Sequence, residues 1–308
     1  METLEIKQEM FVLLDSHIEN LDIKKEIYKF IEYKEKQGFG FSKLTIKHFE
    51  MFNGSSSQII KAASSIEFLN LALDIVDDIQ DEDNENSPWS KIDKATLINH
   101  CILLIFLSQQ VLVSMNLTKI DVIMEHFNKL TMDAIQGQYL DLNTACKNEK
   151  EYLELIQKKS GALTSLAAAI GVLMAKEVDN IASVIEYSSY IGISEQLLND
   201  ASDLTSLDEK SDIRCRKITF PVIYLLNHPS DELNIIKSYY REEMNFNELM
   251  NKKEALKHEI LTSKALEYTL IYKEIYVQKA LKVISKMSFP NLVKKTEFIK
   301  SLKDGGVS

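Results

Sequence analysis

Glycine and proline are scarce in this chain, at 9 and 4 of 308 residues. So few helix-breaking residues leave long uninterrupted elements, which favours helices. No alternating apolar–polar run bounded by hairpin turns argues for strands. Cysteine is equally sparse. Cys101, Cys146 and Cys215 are odd in number and far apart, which excludes a disulfide framework and a zinc site and fits a reducing, cytoplasmic setting. Positive charge is in deficit, 36 Lys and Arg against 46 Asp and Glu, a formal charge of −10. An acidic surface repels phosphate backbones, so nucleic acid is not an expected partner. An acidic chain still binds an anionic substrate when a divalent cation bridges the two. Residues 1–5 are acidic and carry no hydrophobic signal core, and residues 304–308 carry no lipidation motif.

Apolar residues make up 45 % and charged residues 27 %, a balance that fills a sizeable core. Ser, Thr, Asn and Asp caps and glycines divide the chain into helical blocks: 21–36, about 55–80, 93–115, 119–143, 149–175 and 178–204, with a shorter block over 216–226 broken at Pro221. Residues 231–286 contain neither Gly nor Pro and read as two or three further helices. With no repeat and no linker, one all-α domain over 1–308 is the simplest reading. Residues 95–118 hold no charge, but Asn99, His100, Ser108, Gln109 and Gln110 interrupt the apolar run. That pattern predicts a buried helix or a homodimer face rather than a membrane span.

Chemistry concentrates in two acidic clusters. The apolar helix over 59–76 ends in Asp74, Asp77, Asp78, Asp81, Glu82 and Asp83. Asp77 and Asp81 share a face, as do Asp74 and Asp78. Like charges about 4 Å apart repel by roughly 4 kcal/mol at an effective dielectric of 20, and the negative helix end adds to that. A cation relieves the crowding, and oxygen-only ligands with open coordination positions suit Mg²⁺. A solvated helix end followed by a polar loop is the alternative. The second cluster closes the helix over 178–204 with Asn199, Asp200 and Asp203, and a cationic segment holding Lys210, Arg214, Arg216 and Lys217 follows. Acids followed by ammonium and guanidinium groups offer metal ligands and diphosphate contacts together. A surface loop is the alternative here.

Five segments in order resemble the trans-isoprenyl diphosphate synthase family: residues 66–81, Gly137–Leu142 (G-Q-x-x-D-L), Tyr152–Leu163, Gln196–Asp203 and Lys217–Pro221 (K-x-T-x-P). The resemblance implies an isoprenoid synthase fold, a helical bundle around a deep central cavity, with two aspartate-rich helix ends facing each other across its mouth. It implies Mg²⁺ bridging them to an allylic isoprenoid diphosphate. Asp77 and Asp81 are implied to hold metal, with Asp78 catalytic beside them, and Lys159 and Lys217 to hold diphosphate, with Lys210 and Arg214 as further contacts. Gln138 and Asp141 are implied to support the site from a neighbouring helix. In the second cluster the first position is Asn199, an uncharged ligand, so the metal falls to some of Asn199, Asp200 and Asp203. Ala72 and Leu73, one turn before Asp77, are implied to floor the cavity, and their size admits a geranyl or a farnesyl tail.

The chain departs from the family's pattern where a chain-elongating synthase binds isopentenyl diphosphate. The G-G-K-R-x-R-P segment is reduced to Lys43, the histidine position ahead of the first motif is Asn70, and no arginine follows Asp83. Each charge-assisted bond lost is worth roughly 1.5–3 kcal/mol. A different nucleophile is therefore expected. The stretch 74–83 is very similar to that of family members that prenylate a tryptophan in a quorum-sensing pheromone precursor peptide. A remodelled elongating synthase, a non-catalytic helical partner of one, and a terpene cyclase are the rivals.

Overall fold

The computed structural model describes residues 2–81, 86–144, 146–205, 212–229 and 233–305. Among these no strand occurs. The helices are α1 (Glu2–His17), α2 (Leu21–Gln37), α3 (Gly40–Met51), α4 (Ile59–Asp81), α5 (Lys94–Ser114), α6 (Ile120–Asn143), α7 (Glu149–Ile156), α8 (Ala162–Met174), α9 (Ile181–Thr205), α10 (Phe220–Asn227), α11 (Asn234–Tyr240), α12 (Phe246–Met250), α13 (Lys253–Ser263), α14 (Ala265–Lys286) and α15 (Leu292–Lys303). A π turn, Gln157–Gly161, joins α7 to α8. The chain divides into two compact units. Unit 1 is Met1–Asp133, Ala162–Ser188 and Leu281–Ser308; unit 2 is Ala134–Gly161 and Ser189–Ala280.

The caps read from sequence set several boundaries. Asn20 accepts from the N–H groups of Asp22 and Ile23 to start α2, and Gly38 ends it at φ 100. Asp93 starts α5 and Asn148 starts α7 in the same way. Four expectations differ. α1, α3 and α15 lie outside the blocks marked by sequence. The block over 149–175 is interrupted by the π turn. Pro221 does not break a helix: it sits in the first turn of α10, where its missing N–H costs nothing. The run 231–286 forms four helices rather than two or three.

In unit 1, α4 is the central element. It packs on α5, α3, α1 and α8, and its residues from Ala62 through Ala72 are buried. α3 and α8 cross closely: a Cβ at Gly171 would lie 2.1 Å from the Thr45 carbonyl oxygen, and the Thr45 hydroxyl donates to the Ala167 carbonyl at 3.0 Å. α5 buries Leu97, His100, Cys101, Leu104, Leu107, Ser108, Val111 and Leu112 and leaves Ile98, Ile102, Phe106 and Val113 exposed. By length and composition α5 is the one described helix that could cross a membrane, and 44 % of its most apolar stretch is buried inside the protein. In unit 2, one apolar cluster gathers Leu204, Ile213, Leu225, Tyr239 and Leu256. A second joins Tyr152, Ile156, Leu197 and Phe220 to the half-buried Tyr268 and Tyr272.

Candidate active site

The first acidic cluster is the last two turns of α4, in unit 1. Asp77, Asp78 and Asp81 are half-buried there. Asp78 accepts from the indole N–H of Trp89 at 2.7 Å. Ala72 is fully buried and Leu73 half-buried. Glu82 and Asp83 lie outside the described residues.

One turn earlier, α4 carries a buried polar row. Asn70 donates to Asp74 Oδ2 at 3.3 Å, and Lys34 of α2 forms an ion pair with the same oxygen. Burial pulls the Lys34 ammonium down, but Asp74, Glu67 and Asp78 outweigh it and hold it above its ordinary range. Glu67 accepts from the Ser42 N–H at 2.9 Å; burial pushes its carboxyl up against the opposing pull of Lys34 and Ser42. Burial likewise raises Asp74 against Lys34. Lys43 is half-buried, and its ammonium reaches back to Gly38, 3.4 Å from where a Cβ would be. A cavity of about 630 Å³ in unit 1 is lined by Glu50, Ile59, Ile60 and Phe298 among others. It lies at the end of α4 remote from Asp77.

In unit 2 the structure brings four of the five motif segments together. Gly137 is where α6 meets the π turn: a Cβ there would lie 2.3 Å from the Lys159 backbone nitrogen. That contact seats Lys159, whose ammonium bonds Asp141 Oδ2 at 2.7 Å with both side chains mostly buried. Next in the turn, the Ser160 hydroxyl bonds Gln196 Oε1 at 2.7 Å, and Gln196 donates to Asp200 Oδ1 at 3.0 Å. Asp200 is 2 % exposed. Its other oxygen accepts from the Tyr152 hydroxyl at 2.6 Å and from the Phe220 N–H at 3.4 Å. Burial drives the Asp200 carboxyl up to about 7, against the pull of Tyr152 and Gln196. The network thus joins α7, the π turn, α9 and α10.

Its neighbours Asn199 and Asp203 are exposed. Gln138 lies on α6 beside Gly137. Lys217 stands 3.7 Å from Asp212, and its carbonyl accepts from the Tyr240 hydroxyl. Arg214 is exposed with its guanidinium over the Phe246 ring at 5.5 Å. Arg216 is spent structurally, donating to the Tyr239 and Met244 carbonyls. Lys210 lies outside the described residues. Among the described residues no three Asp, Glu, His or Cys side chains gather to hold a metal ion. The donor set fits Mg²⁺ all the same: paired, partly open carboxylates such as Asp77 and Asp81 suit a hard cation that completes its shell with water and phosphate oxygens.

Sequence reasoning gave no role to Lys34, Trp89, Tyr152, Ser160 or Gln196. Four of these carried a signal: Tyr152, Ser160 and Gln196 lie within the motif segments, and Trp89 is the chain's one tryptophan. Lys34 carried none.

An all-helical chain with these motif segments is a prenyltransferase-family protein: it belongs to the polyprenyl synthetase family, whose pattern matches residues 27–258. Within that family it is similar to tryptophan prenyltransferase ComQ. Identity is 34 % over 281 residues with the protein of Bacillus subtilis subsp. natto (strain BEST195), covering 90 % of this chain and 85 % of the relative. It is 32 % over 292 residues with that of Bacillus subtilis (strain 168), covering 94 % of each. Solved structures share the isoprenoid synthase fold. A polyprenyl synthase from Caulobacter crescentus CB15, complexed with calcium and isoprenyl diphosphate, superposes with TM-score 0.82 at 20 % identity over 100 % of this chain and 94 % of its own. A geranylgeranyl pyrophosphate synthase gives 0.81 at 21 % identity over 96 % of each chain.

Proposed function

We propose that the protein is a cytoplasmic, Mg²⁺-dependent isoprenyltransferase that takes geranyl or farnesyl diphosphate and prenylates a tryptophan of a pheromone precursor peptide of the ComX type. The observation that carries this reading is similarity to ComQ along nearly the whole chain. The altered Lys43 and Asn70 positions support it by disfavouring a diphosphate acceptor. The rival, elongation with isopentenyl diphosphate, has in its favour the family match and similarity to isoprenyl diphosphate synthases over less of the chain or at lower identity.

In this mechanism Asp77 and Asp81 would hold metal, and Asn199 and Asp203 would do the same in the second cluster. Asp200, buried and hydrogen-bonded by Tyr152 and Gln196, fixes the helix end that presents them. Mg²⁺, when bound, supplies the charge that stabilises the departing diphosphate. Lys159 and Lys217, with Lys210 and Arg214, hold its oxygens. Asp141 keeps the Lys159 ammonium aimed, and Gln138 and Asp78 support the site. Ala72 and Leu73 bound the tail. The allylic carbon–oxygen bond breaks, indole carbon 3 bonds to the allylic carbon, and the peptide nitrogen closes onto indole carbon 2. The proton released leaves on diphosphate.

The chain acts as a homodimer in this reading. Ile98, Ile102, Phe106 and Val113 form one exposed apolar stripe on α5, which a second copy would cover.

The test supplies Mg²⁺ and allylic donor with either a tryptophan-bearing precursor peptide or labelled isopentenyl diphosphate. Prenylated peptide supports the reading; efficient elongation with the peptide left untouched contradicts it.

A further inference from the structure

The carboxylates at the end of α4 divide between two faces. Asp77 and Asp81 share one, Asp74 and Asp78 the other. The second face meets α2, where Asp74 pairs with Lys34. Against the burial that lowers it, Asp74, Glu67 and Asp78 together hold the Lys34 ammonium above its ordinary range, so Asp78 lies on the α2 side too. Its Oδ2 takes the indole N–H of Trp89 at 2.7 Å. Trp89 is 3 % exposed and stands edge-on to two rings of α2, Phe30 at 5.5 Å and Tyr33 at 5.2 Å between centroids. Its carbonyl accepts from the Ile92 N–H at 3.0 Å, so backbone and ring are both held. Trp89 lies outside the five motif segments, in the stretch after Asp83 that carries no arginine. The group that reaches back to the cluster is thus a neutral donor. It fixes a carboxylate while leaving its negative charge in place.

We infer that Trp89 is a positioning residue: its indole N–H holds Asp78 against α2 and so keeps that carboxylate off the Mg²⁺ that Asp77 and Asp81 would hold. This rests on the proposed Mg²⁺-dependent prenyl transfer. Mg²⁺ demands near-octahedral coordination and serves this chemistry only with positions left for water and phosphate oxygens. A third carboxylate swinging onto the ion would take one of those positions. It would also cancel charge needed at the departing diphosphate. A phenylalanine would pack against the same two rings, so apolar packing alone does not call for the N–H.

The experiment exploits Trp89 being the chain's one tryptophan. Expression in a tryptophan auxotroph supplied with benzothienylalanine puts a sulfur in place of the indole N–H at that residue alone and keeps the shape of the ring. Wild type, the substituted protein and Trp89→Phe are compared, with circular dichroism checking the fold. Calorimetric titration with Mg²⁺ alone reads the metal site without turnover, and steady-state kinetics with allylic donor and peptide reads transfer. Without the N–H, the Mg²⁺ dissociation constant is expected to fall about threefold or more as Asp78 joins the ion, since affinity follows the ligand charge count. In the same proteins kcat should fall about tenfold or more. A merely structural tryptophan would move neither in the folded proteins. An unchanged Mg²⁺ titration overturns the inference, and so does weaker Mg²⁺ binding, which would make Asp78 a ligand that Trp89 orients. Failure of the underlying reading looks different: wild type would then elongate the donor with isopentenyl diphosphate and leave the peptide unmodified, whatever ring stands at that position.

Discussion

Replacing Asp200 by asparagine should stabilise the protein, and do so more as pH rises. The carboxyl titrates near 3.8 in the unfolded chain, while burial lifts it to about 7 in the folded one. Between those values the folded state holds a proton that the unfolded state has released. Stability from this group is therefore full below about pH 4, falls through the window, and is lost above about pH 7. Three units at about 1.4 kcal/mol each make the whole loss about 4 kcal/mol, of which roughly 2–3 fall between pH 5 and pH 8. Asparagine removes the titration. Its oxygen can take the Tyr152 hydroxyl, and its amide can face Gln196 if that side chain turns over and the Ser160 hydroxyl rotates to match. Urea denaturation of both proteins with metal chelated, at pH 5 and pH 8, reads the difference, since loss of this carboxyl is the chief change in titration between the two. The gap in favour of Asp200→Asn should widen by about 2–3 kcal/mol at pH 8. A gap that stays constant, or moves towards wild type as pH rises, would refute the assignment of a protonated carboxyl at this position.

Asp77→Ala with Asp81→Ala should lower kcat for prenyl transfer by about 10²–10³-fold or more, the scale of losing an electrostatic stabiliser, with the circular dichroism melt unchanged or raised by relief of repulsion; retained activity removes the metal role. Gly137→Ala forces a Cβ to within 2.3 Å of the Lys159 backbone, so it should cost about 1–3 kcal/mol and raise the donor KM as Lys159 shifts, which melting and steady-state kinetics check together. Phe106→Glu places a charge on a side chain that is 65 % exposed on the α5 stripe; sedimentation should show a dimer for wild type and a monomer for the variant, and an unchanged dimer would move the interface elsewhere.

The acidic residues were readable because crowded carboxylates at the end of an apolar helix demand a physical excuse, and α4 and α9 end where that argument placed them. Caps gave α2 and α5 nearly to the residue, and the start of α7 but not its end. α1 and α3 carry no comparable signal: α3 begins after Phe39 in a left-handed conformation without a side-chain cap, and the acceptor for its Ser42 N–H comes from α4, far away in sequence. The π turn at Lys159 was hidden for a similar reason. Nothing in residues 157–161 themselves marks it, and the backbone it packs against, at Gly137, lies on another helix. The orientation of Asp200 also escaped, because spacing alone cannot say which member of an N-D-x-x-D run turns inward to Tyr152 and which stay exposed. Lys34 was invisible because its partner Asp74 lies 40 residues on.

The central claim is that an allylic isoprenyl group is transferred to a peptide tryptophan with Mg²⁺. Its most direct test is tandem mass spectrometry of a tryptophan-bearing precursor peptide incubated with this protein, Mg²⁺ and geranyl or farnesyl diphosphate. The account predicts one isoprenyl unit added, located on the tryptophan by fragmentation, and lost on chelating the metal or exchanging that tryptophan for phenylalanine. An unmodified peptide alongside a lengthened isoprenoid diphosphate, when isopentenyl diphosphate is also supplied, would contradict it.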